Sequence, residues 1–211
     1  MGKKIINIIG KILGFFTIKR IFKLFCLAIA VTVIGMLFFR MYTINNYPAS
    51  AKGVVATDLL SNSYHSGTLN GVTWDLPADH DNAGEFFVYQ PIYFENEKTL
   101  IITVRYNDSV LDDMKHEGGG ETLPLFPSLY ADGVERVLPT ISTYTYAYNL
   151  YSYRRYVFEN VDLDSYEHMY LDVHLKEAYE EAPYTTIEIY NIKERITDYK
   201  LSSADKKALK N

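Results

Sequence analysis

The stretch "TLIITVRY", Thr99 to Tyr106, sets Leu100, Ile102, Val104 and Tyr106 at every second position, with Thr103 and Arg105 among the residues between them. Successive side chains of an extended chain point to opposite faces, so this spacing predicts a strand with one dry and one wet face. The same period recurs in Met169–Leu175, where Met169, Leu171, Val173 and Leu175 alternate with Tyr170, Asp172 and His174. It recurs again in Tyr184–Tyr190, with Ile187 and Ile189 against Thr186, Glu188 and Tyr190. Val72–Leu76, Phe86–Phe94, Pro124–Ala131, Val137–Tyr146 and Tyr153–Val161 are further strand candidates. About eight short strands with turn residues between them, and no helical run long enough for repeated βαβ crossovers, predict a mainly β fold. An antiparallel immunoglobulin-like sandwich is the expected architecture, and a small barrel is the alternative.

The connections carry turn chemistry. Asp79–Gly84 (DHDNAG), Asn96 within the Tyr93–Lys98 turn, and Ala131-Asp132-Gly133 each punctuate two strand candidates. Residues 107–122 (NDSVLDDMKHEGGGET) form the longest irregular insertion. Around Val55–Asn62 a short helix is a weaker reading, and Ser202–Asn211 is polar enough to be expected frayed.

Charge divides the chain in two. Met1–Arg40 holds seven Lys/Arg and no Asp/Glu, whereas the remainder carries 14 basic against 26 acidic residues. An acidic body repels phosphate backbones, which excludes nucleic acid as a partner. The basic head has a different explanation. Leu24–Phe39 (LFCLAIAVTVIGMLFF) lacks any charge, and its flanks extend it to about 20 residues, the length that crosses a bilayer's ~30 Å core. Six lysines and arginines precede the span, and only Arg40 and Lys52 follow it closely, so the N-terminus is expected in the cytoplasm and the rest outside. Ala49-Ser50-Ala51 matches a small-x-small cleavage pattern, but the long basic region and long apolar core favour an uncleaved anchor. Residues 1–20 place Ile5, Ile8, Ile9, Ile12, Leu13 and Phe16 on one helical face, suited either to lie on an anionic leaflet or simply to set topology. The organisation is therefore a basic amphipathic segment (1–20), a transmembrane helix (21–42), a stalk with an ambiguous segment (43–68), an extracytoplasmic β-sandwich (69–201) and a tail (202–211).

Past the span the chain contains no Cys, hence no disulfide, thiol nucleophile or thiolate ligand. Lys outnumbers Arg fourteen to seven, and Ile, Asn and Tyr are abundant, as AT-rich genomes encode. The order of features, from the basic N-terminus and apolar span through "FRMYTINNYP", "PIYFENEKTLIITVRYNDSVLDD" and "YRRYVFENVDLDSYEHMYLDVHL", resembles a family of uncharacterised clostridial (Gram-positive) single-span membrane proteins. That resemblance implies an extracytoplasmic immunoglobulin-like sandwich and attaches no activity to its motifs.

Chemistry-bearing patterns are scarce. The DHDNAGE loop supplies Asp79, Asp81 and Gly84 in EF-hand register, but Ala83 and Gln90 break the ligand set and the flanks read as strands. The five histidines, His65, His80, His116, His168 and His174, show no zinc-motif spacing. Gly118–Gly120 lacks the Lys-Ser/Thr of a phosphate loop, and Ser66-Gly67 is not part of a nucleophile elbow. No catalytic residue, metal or cofactor is expected. The remaining candidates sit in "TYTYAYNLYSYRRY", Thr143–Tyr156. If extended, it sets Tyr144, Tyr146 and Tyr148 on one face, followed by Tyr151, Tyr153, Arg154 and Arg155. Tyrosine is a strong strand former whose ring covers a half-buried sheet. The same rings, if exposed, stack on sugars or anchor a protein partner, with the arginines pairing acidic groups.

The expected function is a non-enzymatic, membrane-anchored extracytoplasmic binding or scaffolding protein of the cell envelope. Its partners are the lipid bilayer and another envelope protein or a cell-wall glycan. The alternatives are a cell-wall hydrolase using carboxylates and a membrane-bound sensor.

Overall fold

A computed structural model describes residues 18–45, 53–76, 86–106, 125–131, 136–147, 151–175 and 177–210, with the side chains of 18, 43–45, 144–147 and 151 excepted. The chain divides into two units, Met1–Tyr47 and Pro48–Asn211.

In the first unit, α1 (Ile18–Asn45) is a single helix of 28 residues. From Lys19 to Tyr42 it is long and apolar enough to cross a membrane, and none of that stretch is buried. At 1.5 Å per residue those 24 residues measure about 36 Å, against a hydrocarbon core of ~30 Å. The hydroxyl of Thr32 donates back to the Ala28 carbonyl at 2.8 Å, so it needs no water.

The second unit is mainly β and antiparallel throughout, built outward from β4 (Thr99–Tyr106). One edge of β4 pairs with β7 (Tyr151–Phe158) over seven residues, from Leu100↔Phe158 to Tyr106↔Ser152. Its other edge is shared by β2 (Phe86–Val88) and β3 (Ile92–Phe94). The run expected as one strand, Phe86–Phe94, is thus two, since Pro91 has no N–H to give the ladder. Further out lie β1 (Gly71–Trp74) and β10 (Ile196–Asp198) beyond β3, and β6 (Ile141–Ala147) beyond β7. The second sheet has three strands in the order β5 (Phe126–Tyr130), β8 (His168–His174) and β9 (Thr185–Asn191). Among the described residues, a split of seven strands against three is more uneven than the four and three of a constant-type immunoglobulin domain.

The alternation read in β4 positions the core. Leu100, Ile102, Val104 and Tyr106 pack with Leu129, Leu171, Val173, Ile187 and Ile189, so one hydrophobic cluster joins the two sheets. Trp74 ties them further: its indole N–H donates to the Ile189 carbonyl at 2.6 Å, and its ring meets Tyr190 edge-on at 5.3 Å. The expected wet face of β4 requires correction. Thr99, Ile101 and Thr103 are buried as well, and Ile101 joins Val54, Val55, Leu60, Ile92, Phe94, Val157 and Leu209 in a second cluster. The cover on that side is the segment from Gly53, the helix α2 (Asp58–Ser66) and the helix α3 (Ser203–Ala208). Two boundaries therefore move. Residues from Gly53 to Ser66, read as an ambiguous segment with a short helix around Val55–Asn62, belong to the folded unit and carry their helix at Asp58–Ser66, and the tail expected to fray is a capped helix.

Why the tail orders is plain from its residues. Ser202 accepts from the Asp205 backbone N–H at 3.2 Å, and the Asp205 carboxylate accepts from the Ser202 N–H at 2.7 Å, a reciprocal capping box. Asp205, 1% exposed, also accepts from the Tyr199 hydroxyl and from the Val54 backbone N–H, each at 3.0 Å. Gly53 has φ +81°, and a Cβ there would stand 1.8 Å from Asp205 Oδ1, so glycine is required. Leu209 follows into the core with no exposed surface. Asp205→Ala strands three donors and is expected to lower the unfolding free energy by about 3 kcal/mol, read as a lower urea midpoint at unchanged slope. A loss below about 0.5 kcal/mol would show that the carboxylate does not hold the two segments together.

Candidate functional site

The residues singled out in Thr143–Tyr156 occupy the β6–β7 hairpin. Tyr144 lies opposite Arg154 in register and Tyr146 opposite Ser152. Tyr148 and the side chains of Tyr144, Tyr146 and Tyr151 lie outside the described residues. Tyr153 is 1% exposed, its ring stacked on Tyr89 at 6.4 Å. Arg154 and Arg155, neighbours on a strand, point to opposite faces. Arg154 Nε donates to the Tyr106 phenol oxygen at 3.1 Å. Arg155 donates to the Thr143 hydroxyl at 3.2 Å and to the Val54 carbonyl at 3.4 Å, which fastens β7 to the segment after Gly53. Both arginines and Tyr153 thus make contacts inside the fold. The DHDNAG loop and residues 107–124 lie outside the described residues, and no group of three metal-ligating side chains occurs among the described ones.

A concave surface that combines rings with a few polar groups lies elsewhere, on the face of the three-stranded sheet turned away from the core. Strand alternation dictates its membership. With Leu129, Leu171 and Ile187 pointing inward, their neighbours Ser128, Tyr130, Tyr170, Asp172 and Thr186 share the other face. Asp172 sits opposite Ser128 on one side and Thr186 on the other, and Tyr170 sits opposite Tyr130. A cleft of about 330 Å³ opens here, lined by Tyr130, Arg136, Tyr170, Asp172, Pro183 and Thr186. A second hollow of about 230 Å³ is lined by His174, Leu175, Ala178, Glu181, Ala182 and Tyr184.

Asp172 organises the cleft floor. Its side chain is 7% exposed, and Oδ1 accepts from the Thr186 hydroxyl at 2.6 Å while Oδ2 lies 3.4 Å from Arg136. Arg136 arrives from the connection after β5 and also donates to the Tyr179 carbonyl, joining that connection to the β8–β9 loop. Burying a carboxylate is costly unless a cation and hydrogen bonds compensate it, and here both do. Tyr130 remains 38% exposed at the rim.

Beside this pair stands His174, 3% exposed, with Tyr179 edge-on at 5.4 Å. Desolvation first, and then the Arg136 guanidinium, hold its imidazole below the ordinary 6.5, with Asp172 and Glu181 pulling the other way. Its Nε2 and the Ser128 Oγ are buried without a hydrogen-bond partner. Serine, aspartate and histidine on one sheet face invite comparison with a hydrolytic triad. The relay is not assembled: Ser128 Oγ bonds nothing, and Asp172 is engaged by Arg136 and Thr186. What the arrangement offers is hydrogen-bonding capacity framed by rings.

Sequence reasoning placed Tyr170, Asp172 and His174 on the polar face of their strand but attached no role to them. The signal it lacked was Arg136, which comes from a connection and reaches Asp172 only in the fold. No protein-family model, curated protein or solved structure matches the chain.

A pH dependence follows from His174. The folded state keeps the imidazole neutral, whereas the unfolded chain takes up a proton near 6.5, so low pH favours unfolding. The contribution is complete above about pH 6.5 and is lost as pH falls through the lowered folded value. Urea midpoints should therefore drop between about pH 7.5 and about pH 5, and His174→Gln should flatten that drop. An equal drop in the variant would assign the effect to other groups.

Proposed function

We propose that this chain is a single-pass membrane protein whose C-terminal unit binds or scaffolds another envelope component outside the cell, with the Tyr130–Arg136–Asp172 cleft as its binding surface. The observation that carries the anchoring is α1: Lys19–Tyr42, with the charge-free run Leu24–Phe39 inside it, spans a bilayer's thickness and has no buried surface. A helix with Phe22, Phe25, Phe38 and Met36 each more than 60% exposed needs an apolar surrounding. Lys19, Arg20 and Lys23 precede the apolar stretch and Arg40 alone lies at its other end, which supports a cytoplasmic N-terminus. The C-terminal unit has its own core and a capped final helix, as an independent outer domain requires. Two antiparallel sheets around one cluster support an immunoglobulin-like sandwich in the broad sense, a framework that presents surfaces for recognition. The cleft supports binding because its polar groups are held in place before any ligand arrives.

Protease added to intact cells should degrade the unit after Tyr47 and leave a membrane-protected N-terminal fragment that resists alkaline extraction. Full protection of the C-terminal unit would reverse the orientation. A mature chain beginning at Lys52, found by N-terminal sequencing, would replace the anchor with a cleaved leader.

A further inference from the structure

We infer that the cleft on the outer face of the three-stranded sheet is a site for a neutral saccharide, held between the Tyr130 ring and the Arg136–Asp172 pair. This rests on the binding role proposed above and names the class of ligand.

A sugar ring presents two kinds of surface, an apolar face of C–H bonds and an edge of hydroxyls that each donate and accept. The cleft offers both. Tyr130 and Tyr170 are cross-strand neighbours on the outer face, and both rings line the cleft with Pro183. Aromatic side chains supply flat apolar area at small entropic cost, and Tyr130 keeps 38% of its surface open. At the floor, Asp172 accepts one bond on each oxygen, from Thr186 and from Arg136, where an ionised carboxylate has about four acceptor positions. Arg136 donates to Asp172 and to the Tyr179 carbonyl, where a guanidinium has about five N–H donors. Donor and acceptor groups thus stand side by side at the cleft floor, which suits two adjacent hydroxyls better than a single charged group.

Charge and shape select against the other ligand classes. Asp172 already neutralises Arg136, with Glu181 in the adjoining hollow, so no surplus positive charge draws in a polyanion. A peptide adding to a sheet uses the edge of a strand, whereas this cleft opens on the face of a sheet between residues of three strands. A volume of about 330 Å³ falls at the low end of small-molecule sites, ~300–1,000 Å³, and fits a short run of sugar rings rather than a folded partner.

The test uses the full chain in a detergent without a sugar headgroup, titrated calorimetrically with an N-acetylglucosamine tetrasaccharide, cellotetraose and polyglutamate. Saturable binding of at least one neutral tetrasaccharide is expected. Tyr130→Ala should weaken it at least about tenfold while Tyr130→Phe keeps it, because the ring stacks and the hydroxyl does not decide. Arg136→Met should weaken it comparably, with thermal unfolding run alongside to show that the variant folds. The inference is overturned if neither tetrasaccharide binds up to about 10 mM, if only polyglutamate binds, or if Tyr130→Ala binds like the parent chain. These outcomes leave the protease result untouched, so failure of the ligand class is distinguishable from failure of the anchored reading.

Discussion

Both faces of β4 are buried, and the rest of the C-terminal unit follows from that constraint. A strand buried on one side can leave the other in water, as antiparallel sheets commonly do. Here Leu100, Ile102 and Val104 on one face and Thr99 and Ile101 on the other are all essentially inaccessible to solvent. A sheet centred on such a strand needs two covers. The second sheet supplies one through Leu171, Val173, Ile187 and Ile189. The other must come from chain outside the strands, and it comes from both ends of the unit: Val54, Val55 and Leu60 from the beginning, Leu209 from the end. At roughly 25 cal/mol per Å² of apolar area removed from water, the smaller cluster on the second face adds to the stability that the first supplies. Because the two ends share this work they meet, and Asp205 is where they are joined.

Legibility in the sequence tracked the range of the physics involved. Alternation is local, so Thr99–Tyr106 and Met169–Leu175 could be read as strands with their inward residues named. The break at Pro91 was also local, and a proline inside a run of strand residues should have signalled it. The cover on the second face was not legible in the same way. Ile101 stood on the face expected to be wet, the one apolar residue there, and a lone Ile carries little weight without knowing what packs on it. Ser202 and Asp205 form a capping pattern, with Asp in place of the usual Glu, that a reading of the last ten residues by polarity alone passes over. Polarity decides whether a helix is buried all round. It says little about one that docks by a single leucine.

The site was harder for a related reason. A run of six tyrosines in fourteen residues draws attention because composition is visible, yet Tyr153 is buried and Arg154 and Arg155 donate within the fold. The cleft is assembled from single residues on three strands and two connections, with no motif to mark it. Register places Asp172 beside Ser128 and Thr186, but nothing in the order of residues places Arg136 near it. Such convergence is a property of topology.

The polar groups left unsatisfied sharpen where function resides. Buried polar atoms without partners are uncommon in folded proteins because each costs on the order of 1–3 kcal/mol. Tyr156 illustrates one kind: its phenol lies within the core, where burial raises its pKa, and its ring fills space between the sheets. Ser128 and His174 differ. They lie on the sheet face turned from the core, Ser128 opposite Asp172 on the neighbouring strand and His174 two residues along the same strand. A face devoted to stability alone would not assemble a buried carboxylate, an imidazole held neutral and an unpaired hydroxyl within a few residues of one another. Stability has been given up there locally, while the opposite face of the same three strands is packed with Leu129, Leu171 and Ile187. The asymmetry between the two faces of one small sheet is what supports the binding role proposed for its outer side.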